Sequence, residues 1–392
     1  MSHSKIDIAF IRWSWMRAIL HQGWWLVTSL YLVTIGHLTP SQLIYIGVAQ
    51  GIVSLLFEIP AGVIADTFSR KWSLVLSQVL MGIAMLLTGL ATSFPHLVAT
   101  QMLWGISWSF ASGADVALVT DELNEPLRIA SVLTKTARAQ LSGAALGIIA
   151  LGSFAWATTL STAMISAGIL MMLLGLYIVF QFHEKRFVPI REQHWSASWE
   201  LFKKGLSLVK KSRAILVIFM ATFLVNGASD AARLFPKQLV TIGFPDSITP
   251  IAWLTGLGIV TLLAGIPALK ILEARAHEAN IARRNYVFAC TIGAAGLLLL
   301  AFAPNVIMGS VGILLVSGIA MPITRTMASI QVNNISTDNV RATVHSFLAQ
   351  AEYLGEIVCG LAIGLLAHAT NLPYALAGAA ALLITTAILM MR

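Results

Sequence analysis

The chain has 392 residues, of which 57% are hydrophobic and 11% charged, with a formal net charge of +8 and a mean hydropathy of +0.82. Soluble domains carry about 25% charged residues, so this composition excludes an ordinary water-facing globule and points to a chain immersed in lipid. The basic residues lie between apolar stretches and form no separate module, which argues against nucleic acid as a partner. The two cysteines, Cys290 and Cys359, each sit in an apolar run and give neither a disulfide framework nor a metal site.

A hydrocarbon core of ~30 Å takes ~20 mostly apolar residues as helix. Such runs recur at 14–36, 42–65, 73–93, 96–119, 132–153, 158–181, 214–235, 249–271, 286–303, 305–329, 344–368 and 372–390. Lipid offers no partners to backbone groups, so these runs must be helices, and the alternation of a membrane barrel is absent. The expected fold is therefore all-α, with twelve transmembrane helices. The first run is too long and too aromatic for a cleaved leader. With an even number of spans, both termini share one side. Nearly all loop Lys and Arg fall there, Arg12, Arg17, Arg70, Lys71 and Arg128 among them, against Lys237 alone on the other side. Arg138, Arg233 and Arg325 fall within helices. That bias places both termini in the cytoplasm and the chain in the cell inner (plasma) membrane.

The polar stretch 183–213 divides six helices (1–182) from six (214–392). Within it, Trp195–Lys211 reads either as an amphipathic segment on an anionic leaflet or as a solvated linker. The halves echo one another: Ile59-Pro60-Ala61 before Asp66 in helix 2 stands beside Ile266-Pro267-Ala268 before Glu273 in helix 8. Such repeats build two pseudo-symmetric bundles around a pathway.

Between helices 2 and 3 the chain reads Gly62-Val63-Ile64-Ala65-Asp66-Thr67-Phe68-Ser69-Arg70-Lys71. Gly62 is expected to let helix 2 approach a neighbour closely, and Asp66 to cap the N-terminal end of a neighbouring helix. Arg70 and Lys71 can reach the acids below helix 4, with Asp121 and Glu122 nearest in register. This loop resembles the signature of the major facilitator superfamily, a Gly, three residues, an Asp and a basic pair. The lead-in Phe57-Glu58-Ile59-Pro60 resembles one branch of bacterial drug/proton exporters. The resemblance implies a two-bundle transporter in which Gly62, Asp66, Arg70, Lys71 and Asp121 form a conformational latch. Two other family patterns are altered. Gln101 stands where helix 4 often carries Arg four residues before Gly105. Helix 5 keeps the small residues Gly143, Gly147 and Gly152 but has Ile148 where antiporters carry Pro.

Ionisable groups at bilayer depth are paired or functional. At ~1.5 Å per residue, Glu58, Asp115 and Arg138 fall at similar depths, which leads us to expect one cluster. Two acids beside one base leave one acid as a proton-carrier candidate. In the second half Arg325 pairs best by depth with Glu352. Glu356, one turn on, is left unpaired, and Glu352 or Glu356 is a second proton or substrate-cation site. Asp230 and Arg233 share a face, as a gate or as a local pair. Trp25, Tyr31, Trp104 and Trp108, with Asn226 and Asp230, are candidates for a substrate pocket, lipid-facing packing being the alternative for any single aromatic.

These observations lead to a proton-coupled secondary transporter that exports small amphipathic compounds by alternating access. The alternatives are uptake of a small organic anion or metabolite, with Arg138 and Arg325 binding the anion, and a lipid or siderophore carrier. No Gly-x-x-x-x-Gly-Lys-Ser/Thr is present to use ATP, and no His-Glu-x-x-His or Gly-x-Ser-x-Gly to support an enzyme. The expected partners are a small-molecule substrate, protons and the lipid bilayer, with no cofactor or metal, and the expected state is a monomer.

Overall fold

The computed structural model describes residues 4–123, 125–189, 213–273, 279–335 and 338–391. The linker segment Trp195–Lys211 lies outside them. In chain order the helices are α1 (Ser4–Thr34), α2 (Pro40–Thr67), α3 (Arg70–Leu90), α4 (Phe94–Ala111), α5 (Ala114–Leu123), α6 (Pro126–Ala157), α7 (Leu160–Gln181), α8 (Arg213–Ser229), α9 (Phe235–Ile242), α10 (Pro250–Glu273), α11 (Ala279–Ala301), α12 (Val306–Ile313), α13 (Met321–Ile335), α14 (Asp338–Ala369) and α15 (Leu372–Met391). The protein is an all-α membrane protein with twelve transmembrane helices in two pseudo-symmetric six-helix bundles.

Among the described residues, 11 spans are long and apolar enough to cross a bilayer on their own composition. The remaining span, α1, is 31 residues long but too polar by that measure, because Arg17, His21 and Gln22 lie in its middle. Three spans are interrupted. Phe94–Leu123 breaks between α4 and α5 at Gly113, whose φ of +75° lies in the left-handed region open to glycine. Ile215–Ile242 passes through a 3₁₀ turn at Asp230–Leu234, and Val306–Val332 through a π-helical stretch at Leu314–Ala320.

The chain forms two compact units, one of Met1–His37 with Ile52–His194, the other of Leu38–Gly51 with Trp195–Arg392, so α2 divides at Gly51. Their internal pairings match. In the first unit α1 packs on α6 and α7, and α3 on α7 and α4; in the second, α8 packs on α14 and α15, and α11 on α15 and α13. The closest crossings rest on glycine in both. A Cβ on Gly147 of α6 would overlap the Ile19 carbonyl of α1, and one on Gly355 of α14 would overlap the Phe223 carbonyl of α8. Close backbone approach through small residues is how helices associate in lipid, where the hydrophobic effect gives no net drive. The small-residue spacing of helix 5 thus serves packing without its proline.

α7 shows how a span faces lipid and protein at once. Met164, Ala167, Gly168, Met171, Gly175 and Ile178 are buried, while Leu170, Leu173, Leu176 and Phe180 on the other face are exposed. Both faces are apolar, as a helix in a bilayer requires. The α3–α4 contact is instead a polar seam. Gln101 Nε2 donates to Thr88 Oγ1 at 3.1 Å, and Thr88 Oγ1 donates to Thr100 Oγ1 at 3.0 Å. Gln101, 1% exposed, is therefore a packing residue, and a neutral amide fits there where a guanidinium would be buried.

Candidate functional site

Three polar groupings stand out against this apolar frame. The first surrounds the motif loop. Ser69 caps α3, its Oγ accepting from the Trp72 N–H at 3.1 Å. One turn back, Asp66 accepts from Arg70 Nε at 3.3 Å and from Nη2 at 3.2 Å, and Arg70 Nη1 also pairs with Asp121 of α5. Lys71 Nζ donates to the Val179 carbonyl of α7 at 2.8 Å. Glu184, just past α7, accepts from Ser69 Oγ and from the Arg70 and Lys71 N–H groups, the latter two at 2.8 and 3.3 Å. Glu122 accepts from the N–H groups of Lys185 and Arg186 at 2.6 and 2.7 Å. The loop, the end of α5 and the chain leaving α7 are thus tied into one network, with carboxylates where α3 presents its free N–H groups.

The sequence reading of Asp66, Arg70, Lys71 and Asp121 as neighbours agrees with this geometry, and two details differ. Gly62 serves no close approach, since a Cβ there would meet nothing within 4 Å. Among the described residues Asp66 caps no neighbouring helix; it holds Arg70, and the capping carboxylate is Glu184.

The second grouping lies inside the first unit. The break at Gly113 exposes the start of α5, where Asp115 accepts the Val116 N–H at 2.7 Å. The adjacent Ser112 donates to Glu58 Oε1 at 2.9 Å. The expected base, Arg138, is exposed and makes no ion pair among the described residues, because equal depth does not fix the direction in which a helix points a side chain. Arg17 of α1 lies within electrostatic reach of Asp115 instead. Its guanidinium stands over the rings of Trp108 and Trp13, 4.9 and 5.4 Å from their centroids. His21 stacks on Trp104 at 5.4 Å, and Trp104 on Trp108 at 5.5 Å. Trp24 and Trp25 extend the aromatic set, with centroids 6.4 and 6.1 Å from that of Trp104.

Trp25, Trp104 and Trp108 are therefore together, as a pocket would need. Tyr31 is not with them. It is 1% exposed, and its hydroxyl donates to the Ala91 carbonyl at 3.0 Å, fastening α1 to the end of α3. Several polar atoms of this grouping have no partner among the described residues, including Arg17 Nη2, His21 Nε2, Trp24 Nε1, Trp104 Nε1 and Glu58 Oε2. Each such atom costs about 1–3 kcal/mol if nothing satisfies it.

The third grouping lies in the second unit. Arg233 Nε donates to Asp230 Oδ1 at 2.5 Å, and Nη2 donates to Gln50 Oε1 at 3.1 Å. Asp230, 8% exposed, leaves its second oxygen without a partner. The ion pair is seated against Gly47 and Gly360, where side chains would crowd it. One wall over, a cavity of about 440 Å³ is lined by Asn226, Tyr286, Arg325, Ser329 and Glu352, among others. Arg325 and Glu352 interact across it without closing to an ion pair. Glu356, one turn from Glu352 on α14, senses both groups of charges: Asp230 and Arg233 on one side, Glu352 and Arg325 on the other. Asn226 faces this cavity, its amide also donating to the Thr222 carbonyl at 2.9 Å; Asp230 belongs to the ion pair and does not line it. No group of three or more His, Cys, Asp or Glu with metal-binding geometry occurs among the described residues.

Arg17, His21, Gln50 and Glu184 were not foreseen. Arg17 was counted among loop charges, although Trp13, Arg17, His21 and Trp24 recur at helical spacing and could have been read as one face.

The family model of the Major Facilitator Superfamily matches residues 14–358. An uncharacterized MFS-type transporter, YxaM, of Bacillus subtilis (strain 168) is 22% identical over 340 residues, covering 84% of this chain and 82% of the relative. Among solved structures, a variant of the nucleoside transporter NupG superposes with a TM-score of 0.77 at 14% identity, covering 98% of each chain. A D-xylose-proton symporter gives 0.75 at 14% identity, over 98% of this chain and 97% of its own. The twelve-span fold, the motif network and a family match over most of its length make this chain a member of the major facilitator superfamily, a transporter and not an enzyme.

Proposed function

We propose that this superfamily member is a proton-coupled secondary active transporter of a small organic solute, working by alternating access with both termini in the cytoplasm and the chain in the plasma membrane. The observation that carries proton coupling is the set of carboxylates within the spans: Glu58 and Asp115 in the first unit, Asp230, Glu352 and Glu356 in the second. A carboxylate kept at bilayer depth without a closed ion pair is costly unless it carries a proton or meets a substrate. Glu356, poised between two charged groups, is the leading proton carrier. Asp66, Arg70, Lys71 and Asp121 act as the latch, with Gly62 in the same loop. The halves 1–182 and 214–392 are the moving bodies, joined by 183–213.

Export of amphipathic compounds is one reading of the cargo. Uptake of an organic anion is the other, and it has a specific observation in its favour: the charge set among the tryptophans is a guanidinium, not a carboxylate. The test is a reconstitution with a pH dye trapped in the vesicles. Substrate flux should move protons, and Glu356→Gln should abolish proton movement while leaving solute exchange measurable. Flux indifferent to protonophore and unaltered by Glu356→Gln would overturn proton coupling.

A further inference from the structure

Five residues of α1 recur at helical spacing, Ser14, Arg17, His21, Trp24 and Thr28. Each has a buried polar atom with no partner among the described residues, and Trp104 of α4 adds another. Four of these six atoms belong to Arg17, His21, Trp24 and Trp104. Arg and Trp nitrogens only donate, so what they need is an acceptor. We propose that Arg17 and His21 form an anion-binding subsite of the transport path, and that the cargo is a planar organic anion, an aromatic carboxylate being the simplest member. The proposal rests on the transporter reading above and names its substrate class.

The chemistry of the site supports an anion over a cation. A carboxylate offers two oxygens to the guanidinium fork and further lone pairs to neighbouring N–H groups. Asp115 lies near enough to moderate the charge of Arg17 when no substrate is present, yet forms no closed ion pair with it, so the guanidinium is not consumed by a static bridge. An organic cation brought to the same rings would meet Arg17 already lying on Trp13 and Trp108. The indoles favour a flat ligand. Trp104 and Trp108 lie within 17° of parallel and Trp24 within 10° of Trp104, a set of faces that suits an aromatic ring better than a branched aliphatic one.

The test is calorimetric titration of the full chain in detergent with 2-naphthoate and, separately, with the matched cation 2-naphthylmethylammonium. Naphthoate should bind and the ammonium should not. Arg17→Gln should weaken naphthoate about tenfold or more, with Arg17→Lys in between, since a charge without the planar fork keeps only part of the contact. Binding of the ammonium in preference to naphthoate by the unaltered protein would overturn the proposal, and so would an Arg17→Gln protein of unchanged melting temperature that holds naphthoate as well as the parent does. If Arg17→Gln does not fold, the comparison of the two ligands on the unaltered protein decides. Flux in vesicles separates this failure from that of the transporter reading: ammonium transported in place of naphthoate removes only the anion, whereas flux of neither by a protein that binds one removes the transporter.

Discussion

Single side chains here hold positions that composition alone does not explain. Glu184 collects three donors at the start of α3. Replacing it by Gln keeps the shape and removes the charge from a helix N-terminus, a loss of about 1–2 kcal/mol. The expected outcome is a melting temperature lowered by a few degrees in detergent, without loss of expression. Gln101 offers a sharper contrast. Gln101→Arg would restore the residue many relatives carry, but at a site 1% exposed it would bury a guanidinium at a cost of several kcal/mol; the variant should fail to accumulate in membranes, as a blot would show. Asp66, Arg70 and Asp121 were legible because few residues separate them from their helix ends, so register almost fixes their contacts. Arg17 was not, because a basic residue close to the start of an apolar run reads equally well as a loop anchor. Arg138 shows the converse error, correct in depth and pointing elsewhere.

At the scale of helices, the matched crossings α1–α6 and α8–α14 lead to matched expectations. Gly147→Ala and Gly355→Ala each press a methyl into a facing carbonyl, and overpacking of this kind costs about 1–3 kcal/mol. Both variants should broaden the size-exclusion peak, whereas Gly62→Ala, with open space around it, should match the parent within about 0.5 kcal/mol. Gly113→Ala should lose about 1–2 kcal/mol from its left-handed backbone. The spans themselves were plain in the sequence because lipid demands long apolar runs. Their interruptions were not: a 3₁₀ turn at Asp230–Leu234 and a π-helical stretch at Leu314–Ala320 are apolar enough to pass for continuous helix. These breaks place Asp115 at the start of α5 and Asp230 in its turn, so the site depended on the part of the fold that hydrophobicity does not encode.

For the molecule as a whole, the even number of spans and the basic loops predict both ends on one side, and reporter fusions at either terminus should be active only in the cytoplasm. Asp66→Ala should arrest transport in vesicles while the protein still inserts and elutes normally, because the network it anchors lies away from the buried helix crossings. Pseudo-symmetry in packing does not extend to charge, since the first unit gathers tryptophans around a cation and the second keeps an open polar cavity. That cavity depends on the seven residues Leu314–Ala320. A π turn carries an extra residue relative to an α turn, so excising one codon, that of Ser317 for instance, would let the rod rewind as ordinary helix. Everything C-terminal to the cut in α13 would then swivel by about 100°, and Arg325 and Ser329 would leave the wall they share with Glu352. A frame-preserving deletion, milder in size than most point changes, would thus blind one half of the carrier while its membrane anchorage stayed whole.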